Sequence, residues 1–340
     1  MIAPYAAASD GSRYESSGSK SFRMIRSFNS LDIVRCAVAS TTGLSNRAVT
    51  LGALPRRGSY WHPLLRLSKL HLSPRTVDSA WVWTEAYQLH GIAVVAPRSG
   101  LGSWEVTSLH LASVQSESLA ELLEEATGAA AAQGAERVFL RLQEDDPVVE
   151  AARKSGFFPC LRETLYQGLP IPGGTRSGSL FDADSRLREK EPRDDYGLFR
   201  LHNATVPVSV RRLTGMTFDQ WRASQEQPPG RPLEHVFEKA DEIRGWVRTA
   251  RRKANGHLAV ALHADDRAIM QDVVDSGLKR LTKAKVVNCL APEYETGFQA
   301  ALEARNFEPV DQFVTLVKNT GKTATELQRG RSAFASVDGP

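Results

Sequence analysis

The sequence predicts an α/β protein of two tandem domains, each a mixed, mostly antiparallel sheet flanked by helices. Three observations predict it: the chain's length, a low-complexity break near its middle, and an order of elements that occurs twice. At 340 residues the chain exceeds what one hydrophobic core usually organises. Residues 170 to 195 open PIPGGTRSGS and continue DADSRLREKEPRDD, too charge-dense and apolar-poor to bury a core. This stretch reads as a linker between domains over 22–169 and 196–318, with a disordered leader over 1–21 and a disordered tail over 319–340.

The repeat is the most informative feature. In the first half, strand SAWVWTEA turns into HGIAVVAP, strand WEVTSLHLA follows, then a helix from Ser118, strand RVFLRL, helix DPVVEAARKS, a turn at Gly156-Phe157 and strand RETLYQG. In the second half, EHVFEKADEIRGWVRTA and HLAVALHA precede a helix from Asp266, strand KVVNCL, helix FQAALEAR, a turn at Asn306-Phe307 and strand DQFVTLVK. Matched positions are nearly equidistant: Gly91 and Gly245, Val138 and Val286, and Gly156 and Asn306 lie 154, 148 and 150 residues apart (245 − 91, 286 − 138, 306 − 156).

Local chemistry supports each element. Ser118 and Glu121 have the spacing of a capping box, and Leu119, Leu122, Leu123, Ala126 and Ala130 recur at helical period. Asp146-Pro147 sets a capping carboxylate before a proline at the helix start, and Gly156 supplies a left-handed stop. In the second half Ile269, Val273, Val274, Leu278 and Leu281 form the equivalent stripe. Trp81 and Trp83 alternate with Val82, so both indoles share one face of a strand.

Composition excludes several classes of protein. With 43 Lys and Arg against 39 Asp and Glu, the net charge of +4 is too weakly basic to imply nucleic acid. Arg248, Arg251, Arg252 and Lys253 read as a solvated basic hairpin connection. Cys36, Cys160 and Cys289 are widely spaced and odd in number, which implies free thiols in a reducing, cytoplasmic setting rather than a disulfide framework. No run approaches the roughly 18–20 apolar residues of a membrane helix, and the eight histidines show no metal-ligand spacing.

The order of elements, carried most clearly by LHLASVQSESLAELLEEATGAAAAQGAERVFLRLQEDDPVVEAARKSGFFPCLRETLY, resembles the GNAT superfamily of N-acetyltransferases. Its occurrence in both halves resembles the tandem members. That resemblance implies acetyl-CoA as co-substrate and a small-molecule or peptide amine as acceptor; the histidine spacing adds the expectation of no metal. It also implies a V-shaped opening between the fourth and fifth strands, with the pyrophosphate at the amides that begin the intervening helix.

The family's phosphate pattern is Gln or Arg, two residues, Gly, one residue, then Gly or Ala. It falls here on Gln115, Ser118 and Ala120, with serine in place of the first glycine and Glu117 beside it. Leu111, Ser113, Gln115, Ser118, Leu119 and Ala120 are the implied cofactor-binding residues. The second half offers Asp265 and Asp266 at its helix start, good caps that repel phosphate, so the first half is the expected cofactor binder. Glu105 on the fourth strand is the candidate base and Tyr166 the candidate acid. The family's usual tyrosine position holds Ala152 in one half and Leu302 in the other. Two readings stay open: an acyl-CoA-dependent N-acetyltransferase, and a non-catalytic tandem module for binding or assembly, with a protein partner, that has lost its phosphate loop.

Overall fold

The computed structural model describes residues 23–29, 32, 35, 44–54, 79–86, 88–114, 116–170 and 185–321. The expected leader, Gln115 and most of the expected tail lie outside them. In the first half the strands are β1 (Arg23–Ser27), β2 (Ser45–Asn46), β3 (Ser79–Glu85), β4 (Gln88–Gly100), β5 (Ser103–Leu111), β6 (Arg137–Gln143) and β7 (Phe158–Gly168). Helices α1 (Ser116–Ala132) and α2 (Val148–Lys154) flank β6.

The second half runs β8 (Ser185–Glu189), α3 (Asp195–Thr205), α4 (Val208–Thr214), α5 (Phe218–Ser224), β9 (Arg231–Lys239), β10 (Glu242–Arg252) and β11 (Asn255–Leu262). It ends with α6 (Met270–Lys279), β12 (Val286–Pro292), α7 (Thr296–Glu303) and β13 (Glu308–Asn319). Strand β8 lies inside the stretch read as a linker, at the edge of the sheet, where β9 supplies the ladder partners that its own sparse apolar content cannot replace.

All strands join one sheet in the order β1-β3-β4-β5-β6-β13-β7-β12-β11-β10-β9-β8, with β2 paired to β5. The two halves exchange their last strands. β7 pairs with β12 of the second half, β13 pairs with β6 of the first, and the two lie side by side at the centre. The cores follow the exchange. Leu119, Leu122, Leu123, Ala126 and Ala130 of α1 pack with β4, β5 and β6, and Val314 and Leu316 of β13 complete that cluster. Val273, Val274 and Leu278 of α6 pack with β10, β11 and β12, and Tyr166 of β7 joins them.

The repeated glycine has a steric reason. A Cβ on Gly91 would meet Trp83, Leu111 and Leu122 at 3.1–3.2 Å, and one on Gly245 would lie 2.8 Å from Leu262 Cδ1. Each sits beside a register shift in its meander, where strand and covering side chains approach closely. Gly156 has φ +87° as the left-handed stop requires, and Asp146 Oδ1 accepts from Val148 N at 2.9 Å.

Two helix starts differ from the sequence reading. α1 begins at Ser116, and Ser118 is a buried residue whose hydroxyl accepts from Arg23 Nη1 at 2.9 Å, since β1 brings Arg23 against the first turn. In the second half a 3-10 turn over Ala264–Ile269 precedes α6. Among the described residues no helix is long and apolar enough to cross a membrane.

Candidate functional site

Each half contains a pair of adjacent parallel strands that part after three residues. β5 and β6 pair only from Ser103–Glu105 to Arg137–Phe139, and β11 and β12 only from Asn255–His257 to Val286–Asn288. Beyond these points both pairs diverge, leaving backbone groups on facing edges without a ladder partner. Two equivalent openings result, and their contents differ.

The first opening is filled by this chain. β2 pairs with His110 and Leu111 of β5. Arg47 N donates to Leu109 O at 2.8 Å, Leu109 N donates to Asn46 Oδ1 at 2.8 Å, and Val49 N donates to Arg141 O at 2.9 Å. The segment thus bridges both diverging edges as an inserted strand. Ala48 and Val49 point to opposite faces, one into the α1 core and the other into a cluster with Leu54, Leu165 and Phe313, as strand alternation requires.

The second opening has no such insert among the described residues. Asn288 Nδ2 donates to Gly256 O, and the Leu258 amide reaches the Cys289 sulfur, so even-numbered residues of β11 turn their backbone groups toward β12. By the same alternation Val260 aims its N–H and C=O into the gap. Leu109 and Val260 are equivalent, each two residues before the partner of the repeated glycine.

A cavity of about 430 Å³ opens on the α3 and α5 side of this second gap. Trp221 of α5, Trp246 and Arg248 of β10, Ala259 and Ala261 of β11, and Tyr294, Glu295 and Phe298 beyond β12 line it. Its outer wall is braced by Phe199, Phe218 and Trp221, whose ring centroids lie 5.8 Å apart. Burial pushes the Glu295 carboxyl up to about 7, with Arg267 opposing. Burial, then the charges of Glu295 and Glu163, push the Tyr294 hydroxyl up. Burial and Arg211 hold His202 down at about 4, so it is neutral near pH 7.

Behind the cavity lies a buried charge cluster at the seam. Arg141 Nη1 and Nη2 each donate to Glu226 at 2.8 Å, Arg141 Nε donates to Glu163 at 2.8 Å, and the Thr315 hydroxyl donates to Glu163 at 2.7 Å. Glu226 also accepts from Leu51 N at 3.0 Å, next to the inserted segment. Burial opposes ionisation of Glu226, but Arg141 outweighs it and holds the carboxyl well below the usual range.

The sequence-derived candidates are dispersed. Glu105 lies on β5, paired with Arg98 Nε at 3.2 Å; burial and Glu226 push its carboxyl up, while Arg98 and Arg141 oppose them. Tyr166 lies on β7, its hydroxyl donating to Glu303 at 2.9 Å and pushed up to about 12 by burial and that carboxylate. Two strands separate β5 from β7, a span of roughly 14 Å at normal strand spacing, so the sheet does not bring Glu105 and Tyr166 together. Leu111 pairs with Ser45, Ser113 is exposed in the following turn, Leu119 is buried in the α1 core and Ala120 is half-buried. Gln115 lies outside the described residues.

At the second-half helix start, Asp265 N meets His263 Nδ1 and Asp266 N donates to His263 O. Arg244 holds Asp266 at 2.8 Å and Asp265 at 3.0 Å, and Lys239 lies 3.4 Å from Asp266. Cys160 donates to Thr315 O and is pushed up to about 12, chiefly by burial. Trp83 is core and Trp81 packs against it.

Sequence reasoning missed Glu295, Glu226 and Arg248. PEYETG around Glu295 and SQEQPPG around Glu226 carry no spacing signal. The hairpin connection expected to include Arg248 begins only after Arg252, which places Arg248 in mid-strand.

A scan of family models finds no match, and a search of curated proteins finds no relative at the sequence level. Solved structures do match. A tandem GNAT protein from the clavulanic acid biosynthesis pathway aligns over 89% of this chain and 100% of its own, at 14% identity and TM-score 0.51. A GCN5-related N-acetyltransferase from Sphaerobacter thermophilus aligns over 87% and 95%, at 12% identity and TM-score 0.51. The chain therefore has the tandem GNAT fold.

Proposed function

We propose that the protein is an acyl-CoA-dependent N-acyltransferase whose working cleft belongs to the second half, the first half serving as its structural counterpart. One observation carries this reading: the cavity beside the diverging β11 and β12 is lined by a half-buried carboxyl, that of Glu295, poised near neutral pH.

The chemistry follows from these groups. An acceptor amine in the cavity attacks the thioester carbonyl, and Glu295, ionised at and above neutral pH, takes the ammonium proton. The Val260 amide, aimed into the gap, meets the oxyanion that develops. The new C–N bond replaces the C–S bond, and Tyr294, which burial keeps protonated, supplies the proton to the departing thiolate.

The gap suits the thioester arm, because Val260 offers a donor and an acceptor where Leu109 has both satisfied by the inserted segment. The phosphate end does not suit the family's helix-start mode, since the amides of Asp265 and Asp266 already have partners and both side chains are acidic. That mismatch, with the filled first opening, favours a second reading: a non-catalytic tandem module.

Calorimetry with acetyl-CoA separates the two. The transferase binds one equivalent per chain, and Glu295→Gln keeps that binding while losing transfer to amines. Absence of heat and of thermal stabilisation at millimolar acetyl-CoA defeats the transferase and leaves the binding module.

A further inference from the structure

The charges around the cavity are not all spent. Lys190 pairs with Asp195 at 2.6 Å and approaches Glu234 at 3.9 Å, and Arg222 lies 3.7 Å from Asp219. Arg248 is different. It is half-buried in mid-β10, and its guanidinium sits 4.9 Å from the Trp246 ring centroid and donates to the Glu226 backbone carbonyl at 3.0 Å. No carboxylate among the described residues lies within ion-pair distance of it. Glu234 stands opposite on β9 but inclines to Lys190, and the Glu226 carboxylate is taken by Arg141.

A guanidinium stays charged at any physiological pH, and a charge held partly out of water without a counter-ion is costly. Arg248 borders both the large cavity and a smaller one of about 130 Å³, so a ligand carboxylate entering either would relieve it. Glu295, whose ionised form Arg267 favours against burial, also lines the large cavity and has no ion pair among the described residues. The same cavity is also lined by apolar and aromatic side chains: Leu198, Leu201, Trp221, Trp246 and Phe298.

We propose that this cavity takes an amino-acid-like acceptor with an apolar body, its carboxylate held by Arg248 and its amino group facing Glu295. The identity of the acceptor rests on the transferase reading; occupancy of the cavity does not. A bidentate pair with a guanidinium is the geometry that favours a carboxylate over an uncharged group.

The test is calorimetry of the full chain, without acetyl-CoA, using L-phenylalanine, L-leucine and L-tryptophan against phenethylamine, isoamylamine and tryptamine. At least one amino acid should bind tenfold or more tightly than its decarboxylated partner, as loss of a charged hydrogen-bonded contact implies. Arg248→Met should erase that preference while changing amine affinity less than threefold, and Arg248→Lys, which preserves the charge and controls for folding, should retain part of it. Equal or tighter binding of every amine, an unchanged preference in Arg248→Met, or no binding of any probe at millimolar concentration overturns the proposal. Amino acid binding without any acetyl-CoA binding would leave this proposal standing and remove the transferase.

Discussion

Arg141 offers the sharpest energetic test of the seam between the halves. It projects from β6 with its side chain 5% exposed, and its partners Glu163 and Glu226 are 7% and 11% exposed. Replacing it by methionine keeps most of the volume but leaves two carboxylates without the guanidinium that hydrogen-bonds both, Arg98 acting on Glu226 only as a further charge. Breaking a buried pair from one side costs about 3–5 kcal/mol. At about 2.1 cal/mol/K per residue, a chain of 340 residues has an unfolding entropy of roughly 0.7 kcal/mol/K, so Tm should fall by roughly 4–7 °C. Thermal unfolding followed by circular dichroism and calorimetry measures the loss. It should persist in 0.5 M salt, because buried pairs are poorly screened. The variant Arg141→Met/Glu163→Met/Glu226→Met should regain much of it, since a packed apolar cluster removes the stranded charges. The unfolding should also be one transition, because each core contains the other half's last strand. A loss below about 1 kcal/mol, disappearance in salt, or two separate transitions would refute the reasoning.

Three further outcomes follow from the same geometry. Because Glu295 keeps its proton up to about 7 when folded but only to about 4.3 unfolded, its contribution to stability is fullest below pH ~4 and declines as pH rises to 7. Glu295→Gln should flatten that decline in urea titrations, and kcat/KM for an amine should rise with pH through about 7 in the wild type only. Acetyl-CoA should bind at one equivalent per chain; two equivalents would show that the segment around Asn46–Val49 leaves the first opening. Gly168→Ala places a Cβ 2.5 Å from the Phe307 ring, so overpacking of about 1–3 kcal/mol should lower Tm by roughly 1–4 °C, and an unchanged Tm would argue against β7 packing in the second half.

Much of the fold was legible because it is local. The stripe from Leu119 to Ala130 and the stop at Gly156 depend on residues a few positions apart, and the repeated glycine with its constant offset exposed the duplication. The site was not legible for the opposite reason. Glu295 acquires its chemistry from burial by elements remote in sequence, Glu226 from an arginine 85 residues away, and Arg248 from its place in mid-strand. Strand position within one half points to Glu105 and Tyr166, but exchange of the last strands carries Tyr166 into the other half's core.

By itself the sequence determined two copies of one strand-and-helix plan, because hydrophobic period, caps and turns are set by near neighbours. Only the tertiary structure decided that the copies share one sheet, that residues 45–49 close the first opening, and that the second remains beside a cavity. Those outcomes turn on which backbone edges find partners. Backbone hydrogen bonding is chemically alike at every residue, so the side-chain sequence alone leaves that pairing open.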